Sequence, residues 1–241
     1  MHLIKNGAVR FINAYNTIDH TLRTIYNFKR NISFSDVIRR SVGQSSLIRK
    51  YEDDLIDYSR LRNAIIHGGD DQYIIAEPHE DIVEEIEKIA KLISTPPLAL
   101  QSLCKNSVYS VDFNSKIKKV ITLISTTGYS NLPVYKDSSL LGVANANRII
   151  KLLGQKLSNG VNAEEYLSNT NIEEVVSERD YETYYVVKDA QLTLEKALNL
   201  FDENRKLTAI IITKTGNRAE KAIGIITTAD VLDMNKILEN Y

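Results

Sequence analysis

The sequence predicts an α+β chain in which an N-terminal all-α helical bundle precedes two tandem β-α-β-β-α units, and three observations carry that reading. Apolar residues recur at three- and four-residue spacing through the first hundred positions, the period of a helix with one buried face. From Val108 onward, short β-branched runs alternate with helical stretches. This second pattern occurs twice in the same order, which marks an internal repeat.

In the first pattern, Ala8, Phe11, Tyr15, Ile18, Leu22, Ile25 and Tyr26 put one apolar stripe on a helix from about Asn6 to Lys29. A short helix from Phe34 to Val42 follows. Ser45 is placed to cap a long helix carrying Leu47, Ile48, Tyr51, Leu55, Tyr58, Ile65 and Ile66. That helix should stop at Gly68 and Gly69, where glycine adopts a left-handed terminal conformation with least strain. Ile82, Ile86, Ile89, Leu92 and Ile93 mark a fourth helix starting near Glu80. Pro96 and Pro97 end it and open an extended stretch, read as the interdomain connector.

The second pattern runs as a strand at Val108 to Val111, a helix from Ser115 to Thr126, strands at Asn131 to Tyr135 and Leu140 to Ala144, and a helix over Asn147 to Leu153. It returns at Tyr184 to Lys188, Thr193 to Asn204, Leu207 to Thr213, Ala222 to Thr227 and Ala229 to Leu238. Asp112, Ile117, Val120, Ile124, Leu132 and Val134 match Asp189, Leu194, Ala197, Phe201, Ala209 and Ile211 at a constant offset of 77. Gly142 and Val143 match Gly224 and Ile225 at 82, so the second hairpin is longer, and Lys214-Thr215-Gly216-Asn217 supplies its turn. The two units are expected to pack together, since neither hides its apolar face alone. The expected division is a bundle at 1–97 and the two repeats at 107–157 and 180–241.

Composition narrows the functional classes. With 30 Lys and Arg against 31 Asp and Glu, no global basic field draws nucleic acid. Such contact needs a local patch, for which Arg23, Lys29, Arg30, Arg39, Arg40, Arg49 and Lys50 are candidates. The single Cys104 excludes an intramolecular disulfide and a cysteine-based zinc cluster, and His2, His20 and His79 have no metal-ligand spacing, so no metal site is expected. No stretch reads as a signal peptide or membrane span, and the expectation is a cytoplasmic protein without a membrane partner. The absence of a G-x-x-x-x-G-K loop and of a G-x-S-x-G elbow counts against an NTPase or a serine hydrolase.

Ser130-Asn131-Leu132-Pro133-Val134 followed by Leu141-Gly142-Val143, and Gly224-Ile225-Ile226-Thr227-Thr228-Ala229-Asp230 in the second copy, resemble the signature stretches of a CBS domain pair, or Bateman module. The resemblance spans Val108 to Tyr241 and implies a regulatory unit that binds an adenine nucleotide (AMP, ADP, ATP or a nucleotide messenger) between the copies, with no other cofactor required. Thr227 ends a strand where a helix begins, so helix-terminal amides face an anionic group while the Asp230 carboxylate accepts from both ribose hydroxyls. Val187 and Ile211, near strand starts, are expected to shape the pocket. An ordinary helix cap explains Thr227 and Asp230 as well. In the first copy Asn145 and Arg148 stand at those positions, and the cation is either a phosphate contact for a ligand in the second site or a solvated surface charge. One occupied site per chain is expected.

Arg62-Asn63 with His67, at the end of the long helix, match the R-polar-x-x-x-H motif. They resemble HEPN domains, small bundles found in many metal-independent ribonucleases and RNA-binding proteins. Over Met1 to Ser94 the resemblance implies Arg62, Asn63 and His67 as catalytic residues acting on single-stranded RNA. A histidine that moves protons near neutral pH and an arginine that stabilises a phosphorane suit that chemistry. A place in the final helical turn would favour protonated His67. Five residues at about 100° put Arg62 and His67 about 140° apart, which calls for a composite site in a homodimer or higher even oligomer. A competing reading pairs Arg62 with Asp19, since both fall on core-facing stripes. The expected function is adenine-nucleotide sensing, with two classes open: a ligand-gated ribonuclease, or a non-catalytic sensor whose bundle binds RNA or a protein partner or only dimerises.

Overall fold

The computed structural model describes residues 7–66, 76–104, 107–177 and 180–241. The chain divides into two compact units, Met1–Pro97 with Leu238–Tyr241, and Leu98–Ile237.

The first unit is helical, with α1 (Gly7–Ile25), α2 (Phe34–Ser41), α3 (Ser46–Lys50), α4 (Glu52–Ile65) and α5 (Glu80–Ser94). The apolar stripes close on one another: Phe11, Ile18 and Leu22 of α1, Leu55 and Ile65 of α4, and Val83, Ile86 and Ile89 of α5 share one buried core. The edge of one ring meets the face of the other where Phe11 packs on Tyr58, at 5.8 Å between centroids.

Three departures from the expected helices have local causes. Helix α1 stops short of Lys29 because Asn27 takes a left-handed φ of 54°. Ser45 does cap, its hydroxyl accepting from the Ile48 amide at 3.2 Å, but Tyr51 leaves helical geometry (φ −108°, ψ 20°) and divides the long helix into α3 and α4. The first turn of α4 restarts on Glu52, Asp53 and Asp54, which favour a helix N-terminus. At its other end α4 stops at Ile65 with Ile66 extended (φ −108°, ψ 115°), before the two glycines, which lie outside the described residues.

Asp19 pairs with Arg23 rather than with Arg62. The Arg23 Nε donates to both carboxylate oxygens, at 2.8 and 2.9 Å, across one turn of the same helix. The same guanidinium donates to the carbonyls of Lys29 and Ile32, so Arg23 holds the α1–α2 connection and drops out of the basic patch considered for RNA.

The second unit opens on α6 (Ala99–Leu103), where an extended connector was expected. Leu98 bridges to Thr193 and the Ala99 amide donates to the Leu192 carbonyl at 2.8 Å, so this segment is part of the repeat structure. The first repeat follows as β1 (Val111–Asp112), α7 (Ile117–Thr127), β2 (Asn131–Lys136), β3 (Ser139–Asn145) and α8 (Ala146–Ser158). Next come α9 (Ala163–Asn169) and a 3-10 turn at Ile172–Glu174, neither of them expected. The second repeat is β4 (Tyr185–Lys188), α10 (Leu194–Glu203), β5 (Ala209–Ile212), β6 (Gly224–Thr227), a 3-10 turn at Thr228–Asp230 and α11 (Val231–Glu239).

Each repeat forms a three-stranded sheet whose first strand runs parallel, and third antiparallel, to the second. The duplication extends to turns: Asp112 accepts from the Asn114 amide at 2.9 Å, and Asp189 from the Gln191 amide at 2.8 Å. Leu140 and Val143 of one sheet share a core with Tyr185, Val187, Ala209 and Ile211 of the other. Gly142 and Gly224 each admit the segment that precedes the other repeat. A Cβ would stand 3.0 Å from the Val176 Cβ at Gly142, and 2.7 Å from the Cys104 Sγ at Gly224. Among the described residues, no helix is long and apolar enough to cross a membrane.

Candidate functional site

The second unit contains a cavity of about 340 Å³ walled by both repeats. Small-molecule sites run from about 300 to 1,000 Å³, so it lies at the small end of that range. Leu103 and Cys104 come from the end of α6, Ser107 to Tyr109 from the approach to β1, Gly128 to Leu132 from the α7–β2 connection, and Ile225, Thr227, Ala229 and Asp230 from the end of β6 and the turn after it.

Thr227 and Asp230 form a reciprocal capping box. Asp230 Oδ2 accepts from the Thr227 amide at 2.7 Å and from its Oγ1 at 3.0 Å, while the Thr227 side chain accepts from the Asp230 backbone. The two readings of these residues therefore coincide: they cap a helix start, and they do so in the cavity wall. Both bonds to the carboxylate fall on Oδ2, which leaves Oδ1 as its second acceptor. Two half-exposed rings, Tyr109 and Tyr129, line the same cavity with centroids 5.7 Å apart and planes at 36°. Burial pushes the Cys104 thiol up from its ordinary pKa, so it stays neutral, with Sγ 3.7 Å from the Ile225 carbonyl oxygen.

Val187 and Ile211 lie elsewhere, 5% and 0% exposed in the core shared by the sheets. The apolar wall is made instead by Leu103, Val108, Leu132 and Ile225. A cleft between copies draws its walls from both, so the residues opposite Asp230 had to be sought in the first repeat.

The repeat-related cleft is built differently. At the offset of 77, Leu103, Cys104, Ser107 and Val108 correspond to Asp180, Tyr181, Tyr184 and Tyr185, and at 82 Thr227 and Asp230 correspond to Asn145 and Arg148. Arg148 forms an ion pair with Asp180, whose side chain is 7% exposed, and its guanidinium lies over the Tyr184 ring at 5.0 Å. The Ser177 amide donates to the same Asp180 oxygen at 2.9 Å. Tyr185 is fully buried against the Tyr181 ring. Arg148 is thus not the solvated surface charge considered from the sequence. Asn145 serves the backbone, accepting from the Asn147 and Arg148 amides at 3.0 and 3.2 Å.

In the helical unit, Arg62 is half-buried and Asn63 exposed near the C-terminal end of α4. His67, expected in a final helical turn, lies outside the described residues. The Tyr15 hydroxyl is raised in pKa mainly by burial, against a hydrogen bond with Ser59, and the charges of Asp19, Arg62 and Arg23 act on it. Among the described residues, no group of three or more His, Cys, Asp or Glu is placed to hold a metal ion.

Residues 100–155 match the family model of the CBS domain. No curated protein matches the chain. Similar solved structures include the CBS domain pair of protein MJ0100 in complex with 5′-methylthioadenosine and S-adenosyl-L-methionine, at 13% identity over 58% of this chain and 97% of that one, with a TM-score of 0.45. CBSX2 in complex with AMP shows 18% identity over 59% and 98%, with a TM-score of 0.45. The CBS domain of the bacterial CNNM/CorC family Mg2+ transporter in complex with ATP shows 21% identity over 65% and 96%, with a TM-score of 0.43. The match to the CBS domain falls on the first repeat, and the second repeat has the same β-α-β-β-α order.

Proposed function

We propose that this chain is a regulatory protein whose CBS pair senses an adenine nucleotide or related adenosyl ligand, one molecule per chain, in the cavity walled by Thr227 and Asp230. The observation that carries this reading is the Asp230 carboxylate, held by Thr227 through one oxygen at the wall of a cavity of ligand size. In this pose Asp230 accepts from the ribose hydroxyls, and the base packs against Tyr129, Tyr109 and the apolar wall. The filled cleft around Arg148 and Asp180 supports a single ligand. Titration calorimetry of the full chain with adenosine, AMP, ADP and ATP tests the reading: the expected stoichiometry is one per chain. Two per chain would defeat the filled cleft, and no binding of any adenosyl ligand would defeat the sensor.

The helical unit is the output in this proposal. We assign Arg62, Asn63 and His67 to metal-independent cleavage of single-stranded RNA in a homodimer or higher even oligomer, supported by the motif and by the exposure of Asn63. Gating follows only if the ligand binds the two states of the oligomer with different affinity. Wild type should cut labelled single-stranded RNA in EDTA, with a rate that responds to the nucleotide, and His67→Ala should not cut. If neither protein cuts under any condition, the bundle is a binding or dimerising element rather than an enzyme.

A further inference from the structure

Resting on the nucleotide reading above, we propose that Tyr241 clasps the end of α5 and couples the packing of the helical unit to occupancy of the cavity. The segment Leu238–Tyr241 belongs to the helical unit. There the Tyr241 hydroxyl donates to the Thr95 carbonyl at 2.7 Å. The Lys91 ammonium lies 4.1 Å from the centre of the Tyr241 ring and donates to the Tyr241 main-chain oxygen at 2.7 Å. Lys88, one turn before Lys91, donates to the Glu239 carbonyl. A cation on the ring face and a helix-end carbonyl on the hydroxyl fix one side chain from two directions, and the hydroxyl supplies a donor that the last turn of a helix lacks.

Two walls of the cavity lead along the chain to this point. Asp230 closes the turn that opens α11, and α11 runs nine residues, about 14 Å, from there to Glu239. On the other side, Thr95 is followed by Pro96, Pro97 and α6, whose end supplies Leu103 and Cys104 to the wall. Between its ends α11 is held lightly: Met234 is its buried residue, and Leu232 is 71% exposed. A helix with so little buried surface follows its first turn when that turn moves. A ligand seated between Asp230 and the end of α6 sets the spacing of two arms that meet at Thr95, so occupancy and the clasp act on each other. By linkage, the factor by which the ligand tightens the clasp is the factor by which the closed clasp tightens the ligand.

Hydrogen exchange on the full chain, with and without adenosine, AMP, ADP or ATP at saturation, reads the last turn of α5, and calorimetry reads affinity. In wild type, ligand should slow exchange in that turn at least about fivefold. Tyr241→Ala should abolish the slowing and weaken binding by the same factor, while exchange in the turn from Thr228 to Val231 still responds to ligand. Tyr241→Phe, which keeps the ring over Lys91 and removes the hydroxyl, should fall between the two. Ligand binding without a change at α5 in wild type, or a full response kept in Tyr241→Ala, would overturn the clasp and leave the nucleotide reading intact. Failure of all four ligands to bind would defeat the nucleotide reading, and the clasp with it.

Discussion

Asp230→Ala is expected to lower affinity for the adenosyl ligand by about a hundredfold while leaving the chain folded. In the proposed pose the carboxylate accepts from two ribose hydroxyls, and removing a charged partner costs about 1.5–3 kcal/mol for each such bond. At about 1.4 kcal/mol per tenfold, two bonds lost amount to roughly two decades in Kd. The structural part of the same substitution is smaller. Asp230 Oδ2 accepts from the Thr227 amide at 2.7 Å and from its hydroxyl at 3.0 Å, and losing a helix cap of this kind costs about 1 kcal/mol. Thermal unfolding of the unliganded variant measures the cap, and calorimetry measures the ligand. Unchanged affinity with a lowered midpoint would make Asp230 a cap alone and move the ligand site elsewhere.

Much of the fold was legible because the repeat supplied two readings of every element. Asp112 and Asp189 make the same turn, the glycines Gly142 and Gly224 admit the same kind of close approach, and both sheets have the same strand order. The N-terminal stripes were legible for a different reason: a helix with one buried face writes its period into the sequence. The break at Tyr51 was not, because a residue that belongs to the apolar stripe by spacing carries no sign that its backbone departs from the helix. The connector was misread because prolines report where a helix stops and say nothing of the short helix that resumes two residues later.

The site was legible only in part. Thr227 and Asp230 stand at a cavity wall, as the resemblance to a CBS pair implied, but Val187 and Ile211 were sought in the repeat that supplies Asp230. Tyr129, Tyr109 and Val108 lie more than a hundred residues before Asp230, and no periodicity links them to it. Arg148 was the hardest to read. Its partner Asp180 sits in an irregular stretch, and the competing pair of Asp19 and Arg62 looked better on helical wheels than the one-turn pair with Arg23 that forms.

Arg148→Ala is expected to destabilise the chain by about 2–3 kcal/mol and to leave adenosyl affinity within about threefold of wild type. Breaking a buried ion pair costs about 3–5 kcal/mol, because the partner remains in the interior without compensation, and the lower figure here reflects the partial exposure of the guanidinium. The asymmetry is clear in the side chains, 31% exposed for Arg148 and 7% for Asp180. Among the described residues, the abandoned Asp180 carboxylate would keep the Ser177 amide alone. Replacing both partners with apolar residues, as in Arg148→Met with Asp180→Leu, should recover most of the loss, since the burial penalty then disappears with the charges. A double-mutant cycle should give a coupling of about 1–3 kcal/mol for residues in direct contact. A loss below about 0.5 kcal/mol for Arg148→Ala would place the pair in solvent and reopen the cleft it fills. Calorimetry separates structure from recognition: if the guanidinium held a phosphate, the substitution would weaken ATP and spare adenosine, whereas a pair that seals the repeat-related cleft changes neither, because Asp230 and the tyrosines of the proposed ligand site belong to the other one.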